Sequence, residues 1–191
     1  QLTSGTGHFS RWKQNEEGTM GRSNGERAHP SCRGGRVVDS WIVELGREPN
    51  TDELMERALR QGLLANDYLT QENFPINPVR VRSVRIVGYD PDRDWYSFEE
   101  GRQILRSAGI GVPTYEHGLQ CLVQHGISMR TDKRKPAFFH DPWHNRGTGR
   151  FLYLCDLFEH LEIALDCIRG QGDREDQVFG PNRLLAGILL N

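Results

Sequence analysis

No part of the chain carries enough consecutive apolar residues to cross a bilayer as a helix. Nothing approaches the roughly 18 positions that such a span needs, and no charged stretch followed by an apolar one stands at the N-terminus. A cytoplasmic, membrane-free protein is the expectation. Closely spaced cysteines are missing too: Cys32, Cys121, Cys155 and Cys167 lie far apart, which removes zinc ribbons and redox dithiols as readings. Cys121 and Cys155 stand in apolar runs, where a thiol behaves as a small hydrophobe, while the even count leaves pairing open. There is no Gly-rich phosphate loop and no nucleophile elbow. A net charge of only −2 excludes a uniformly basic protein.

The chain does hold aromatics, with four Trp and eight Phe in 191 residues, and these argue against global disorder despite 21 Gly and an apolar fraction of 36%. One domain of ordinary size is the default at this length. Residues 1–36 are rich in Gly, Ser, Asn, Arg and Glu, and their Phe9, Trp12 and Met20 form no repeating face. They read as a flexible arm before a single α+β domain over residues 37–191. Charge is uneven along that domain. The basic middle holds Arg130, Lys133, Arg134, Lys135, Arg146 and Arg150, whereas the segment after residue 153 is acidic.

Three helix entries are marked by side chains that can accept a first-turn amide. Asn50 stands three residues before Glu53, Ser97 three before Glu100, and Thr114 opens a third unit. Gly62, Gly109 and Gly126 are the matching stops. Between the markers, Leu54, Met55, Ala58 and Leu59, then Phe98, Ile104, Leu105 and Ala108, then Tyr115, Leu119, Leu122 and Val123 recur at helical spacing. At least three helices are therefore predicted, with a short further helical piece at 64–69.

Strand signals are less uniform. Residues 37–45 fit a strand or a short helix, and Val79 and Val81 change parity to Val84 and Ile86, which suggests either a bulge at Ser83 or a change of the buried face there. Residues 127–150 read mostly as loop, with a short strand at 137–140. Phe151–Leu154 reads as strand. Residues 157–168 fit either period, 170–177 read as a polar loop, and 183–190 close the chain as a buried strand or helix. A mixed sheet with at least three helices is the predicted fold.

The order of these elements, with the opening Ser-Phe-Glu-Glu-Gly of residues 97–101 and Val-Pro-Thr-Tyr-Glu of 112–116, resembles the C-type-lectin-like fold and its formylglycine-generating-enzyme-like branch. It is also similar to a group of uncharacterised bacterial proteins with segments like Asn73-Phe74-Pro75-Ile76 and Asn182-Arg183-Leu184-Leu185-Ala186. The resemblance spans roughly residues 66–188 and implies a binding module. Sugar-binding members carry a Glu-Pro-Asn calcium motif in the long loop, but here Glu48-Pro49-Asn50 precedes a helix, and no Trp-Asn-Asp motif follows. The oxidase branch needs a close cysteine pair, and Cys155 and Cys167 are twelve residues apart. Neither calcium-dependent sugar binding nor that oxidation carries over.

Three residue groups could carry chemistry. His140, Asp141 and His144 are the densest set of metal-ligand types and could hold a divalent metal such as zinc in a hydrolase or nuclease. Pro142 opposes a helix containing both histidines, and the bland alternative is two solvent-facing imidazoles beside a turn. Arg130, Lys133, Arg134 and Lys135 with Trp143 could bind an anion or nucleic acid, the cations on phosphates and the ring on an unpaired base. His117 and His125, about 80° apart on one helix, could join Glu116 as acid and base. The favoured expectation is a non-enzymatic binding or assembly module without a cofactor, partnered by protein or by its own copies. Nucleic acid is less favoured because the total charge is near neutral.

Overall fold

Among the described residues, each of three helices begins on a side chain that accepts a first-turn amide. In a computed structural model describing residues 35–77, 80–92, 96–130, 133–146, 148–157, 160–168 and 183–190, these are α1 (Thr51–Arg60), α2 (Phe98–Ser107) and α3 (Tyr115–His125). Asn50 accepts from the Glu53 amide at 2.8 Å. Ser97 accepts from the Glu100 amide at 3.3 Å while the Glu100 carboxylate accepts the Ser97 amide at 2.8 Å. Thr114 and His117 form the same reciprocal pair, with an imidazole in the usual carboxylate position. Caps of this kind contribute about 1 kcal/mol each. Gly62 and Gly109 stop α1 and α2 at φ +82° and +71°, a left-handed backbone that glycine adopts without a Cβ clash. Gly126 instead runs on into a 3-10 turn, Gly126–Met129.

The strands are β1 (Arg36–Leu45), β2 (Leu63–Ala65), β3 (Arg82–Asp90), β4 (Ile110–Gly111), β5 (Lys135–Asn145), β6 (Thr148–Leu157), β7 (His160–Ile168) and β8 (Arg183–Leu189). They form one mixed sheet in the order β1-β3-β8-β5-β6-β7-β2, with β4 beside β8. The β5–β8 and β2–β7 pairs are parallel and the others antiparallel. The fold class is thus α+β, a mixed sheet with three helices among the described residues.

Both sheet faces are packed. One core joins Leu54 and Met55 of α1, Leu119 and Leu122 of α3, and Phe138 and Leu152 of the sheet. The other joins Phe98, Ile104 and Leu105 of α2 to Phe139, Phe151 and Leu185. Phe138 and Phe139 are both fully buried, because successive strand residues point to opposite faces. Glycine sets the second core's spacing: a Cβ on Gly101 of α2 would overlap the Phe139 ring, so helix and sheet approach there without one.

Three expectations are corrected. The segment 64–69 is not helical: β2 gives way to a turn in which the Asn66 side chain accepts the Tyr68 amide at 3.1 Å. Ser83 is no bulge, since it pairs in register with Glu44; the break lies between Val37 and Asp39 on the partner strand. The supposed loop 127–150 is mostly strand. Three open choices are settled, since β1, β7 and β8 are strands. The proposed arm up to residue 34, the 170–177 loop, Val79, Cys32 and the Cys167 side chain lie outside the described residues. Gly35 and Arg36 of that arm are described, and Arg36 already belongs to β1. The described helices include none long and apolar enough to cross a membrane.

The edge strand β1 is closed along part of its length by side chains of α3. Gln124 donates to the Glu44 carbonyl at 2.7 Å and accepts the Glu44 amide at 2.9 Å, copying the bonds of a neighbouring strand. His125 reaches the Ile42 carbonyl at 2.8 Å. Together with the bulge, these contacts limit pairing with a further strand.

Candidate functional site

His140 lies in the most irregular stretch of the sheet. Phe138 pairs with Leu152 and Trp143 with Arg150, so the four residues 139–142 stand opposite Phe151 alone. Pro142 lacks an amide and suits this interruption. Beside this interruption the Leu152 amide donates to the His140 imidazole, Nε2 accepting at 3.1 Å. Nδ1 lies 2.6 Å from the Asp141 carbonyl. The ring is fully buried, against Tyr115 at 6.4 Å. These partners define a neutral imidazole with its proton on Nδ1. Burial, the largest influence, pushes its pKa from 6.5 down to about 4.

The other two members of the expected metal set are placed differently. The Asp141 side chain is 92% exposed and pairs with Arg102 at 2.8 Å. His144 is exposed, opposite Gly149. Among the described residues, no group of three His, Cys, Asp or Glu side chains is arranged to hold a metal ion. Only His140 of this set is buried, and both of its nitrogens bond to backbone. The expectation of two solvent-facing imidazoles holds for His144 and fails for His140.

The basic set is dispersed in the same way. Lys135 is buried, and its ammonium donates to the Met129 and Arg130 carbonyls at 2.8 and 2.9 Å, closing the 3-10 turn. Arg134 pairs with Asp90 at 2.7 Å. Burial alone would raise the Asp90 carboxyl, but the Arg134 guanidinium and the Asp92 amide hold it below the usual value. Lys133 and Arg130 are exposed, at the opposite end of β5 from Trp143. The five residues therefore do not form one anion-binding surface.

His117 and His125 also serve the backbone. His117 Nδ1 accepts the Thr114 amide at 3.1 Å, and burial lowers its pKa to about 4. With His125 on the Ile42 carbonyl, the two imidazoles are committed to different partners. Cys121 is buried in the core, which pushes its thiol pKa up.

Trp143, half-buried on the hairpin, meets aromatic side chains from the segment after β2. Trp143 packs on Phe74 at 5.2 Å and on Tyr68 at 5.8 Å. Tyr68 is 45% exposed, and the Arg150 guanidinium, from the strand position paired with Trp143, lies 5.6 Å over its ring. The segment carrying Tyr68 and Phe74 is fixed from several sides. The Gln71 side chain accepts the Thr51 amide at 2.8 Å and brackets Ile76, while Tyr115 donates to the Pro75 carbonyl at 2.6 Å. Tyr68, Gln71 and Gln124 were not singled out from sequence. An aromatic two residues after the turn-forming Asn66 was the available signal for Tyr68.

No family model, curated protein or solved structure matches this chain. Function therefore rests on the geometry alone.

Proposed function

We propose that the protein is a non-enzymatic binding module whose contact surface is the aromatic end of the β5–β6 hairpin. The observation that carries this reading is the shelf of Tyr68 and Trp143 with Arg150 against it. A half-exposed tyrosine, a partly buried tryptophan and an arginine combine large rigid contact area with directional donors, the composition that dominates binding hot spots. The supporting segment is already held by Gln71 and Tyr115, so little ordering would oppose binding. A metal-dependent reading at His140 would require that imidazole to release the buried Leu152 amide, whose desolvation costs about 1–3 kcal/mol.

An NMR titration of the isotope-labelled protein against a panel of oligonucleotides, acidic peptides and oligosaccharides tests this reading. Shifts concentrated on Tyr68, Trp143 and Arg150 are expected for at least one class. Shifts centred elsewhere, or chemical turnover of a panel member, would overturn it.

A further inference from the structure

Building on that reading of the hairpin, we propose that its ligand is single-stranded nucleic acid, a base stacking on Tyr68 and the adjoining phosphate meeting Arg150. Three observations converge on this chemistry. Tyr68 presents a ring that is 45% exposed and sits on Trp143. The Arg150 guanidinium lies over that ring, 5.6 Å from its centroid, and its buried Nε has no hydrogen-bond partner among the described residues. No ion pair is formed by Arg150 among those residues either, in contrast to Arg134 and Arg102, which hold Asp90 and Asp141. Arg146, exposed at the hairpin turn with φ 51°, adds a second cation further along the same hairpin.

The pairing of ring and guanidinium selects the ligand class. A nucleotide supplies a planar face and a negative charge in one unit, separated by a sugar, so it can engage both groups at once. An acidic peptide would use the guanidinium and leave the ring uncovered. Double-stranded nucleic acid keeps its bases stacked inside, out of reach of a tyrosine. Stacking does not depend on base identity, so sequence preference should be weak. The basic run at 133–135 takes no part in this, because Lys135 and Arg134 are already bound within the fold.

Fluorescence anisotropy of labelled oligothymidylate with the full chain is the test, run against a matched duplex and polyglutamate. The intact protein should bind the single strand, and Tyr68→Ala should weaken binding about tenfold, a loss within the range for one stacked base. Tyr68→Phe keeps the ring and should bind as the parent does. Arg150→Gln should weaken binding and flatten the dependence of log K on log salt by about 0.7, one phosphate's share. Thermal melts monitor the fold, and Arg150→Gln decides alone should Tyr68→Ala not fold. Absence of binding to the single strand, binding at the parent's affinity by both Tyr68→Ala and Arg150→Gln, or tighter binding of polyglutamate or duplex would overturn the proposal. If the hairpin still responds to another class in the NMR panel, only the ligand assignment falls. If it responds to none, the binding-surface reading falls as well.

Discussion

Acidification from pH 6.5 to 4 should destabilise this protein steeply, by about 3 kcal/mol per pH unit across the window. His117 and His140 both sit near 4 in the folded chain, against an ordinary 6.5. Between those values the unfolded chain binds two protons that the folded chain does not. Stability therefore rises with pH through the window, is fully present above about 6.5, and is lost as pH falls toward 4. Each group contributes about 1.4 kcal/mol per unit. The main cause is common to both: burial disfavours the charged ring, and in each an imidazole nitrogen accepts a backbone amide, which it cannot do once protonated. Urea denaturation at a series of pH values reads the slope directly. Substituting both histidines with Gln, which accepts but does not titrate, should remove most of it. A pH-independent midpoint in the parent over this range would show that the two rings are not held as neutral acceptors.

The second large effect is that of His140→Ala, which should cost about 3–4 kcal/mol. Two terms add: the Leu152 amide is left without its acceptor in a buried site, about 1–3 kcal/mol, and a cavity opens where a fully buried ring packed against Tyr115. For a domain of this size the melting temperature should fall by roughly 10 °C. His140→Gln should recover part of the loss by restoring an acceptor. Exchange of the Leu152 amide provides a local readout, since its protection should drop in the Ala variant beyond that of its neighbours on β6. A stability change under 1 kcal/mol would remove His140 from the role of backbone acceptor.

Helix ends were legible in the sequence because they depend on local chemistry. Asn50, Ser97 and Thr114 each act within four residues of themselves, and each was read correctly. Strands depend on partners that sequence does not display. Leu161, Ile163 and Leu165 alternate as expected for a strand, but Ala164 between them is buried as well. A strand packed on both faces loses the contrast that separates period 2 from period 3.6. β5 was hidden for a different reason: the interruption over residues 139–142, with Pro142 in it, scrambles the parity of Phe138, His140 and Trp143. The short helix expected at 64–69 failed because three residues of β2 find a parallel partner in β7, a contact about a hundred positions away in sequence.

The candidate site was less legible, and the reason is specific. Residue types that serve chemistry also serve backbone repair, and only the structure separates the two uses. His140 accepts a strand amide beside the ladder's interruption, His117 completes a capping pair, Lys135 closes a 3-10 turn and Gln124 mimics a strand at the edge of β1. Of the residues singled out for ligand contact, Trp143 stays on an accessible surface with an aromatic neighbour, Tyr68, that only folding brings beside it.

The most direct measurement is the tautomer and titration of the His140 ring, followed by nitrogen-15 NMR of the intact protein. A buried backbone acceptor should be neutral at pH 7 with its proton on Nδ1, as the bonds to Leu152 and Asp141 require, and should titrate near 4. A proton on Nε2 at neutral pH, or a midpoint near 6.5, would contradict the conclusion that this histidine belongs to the sheet.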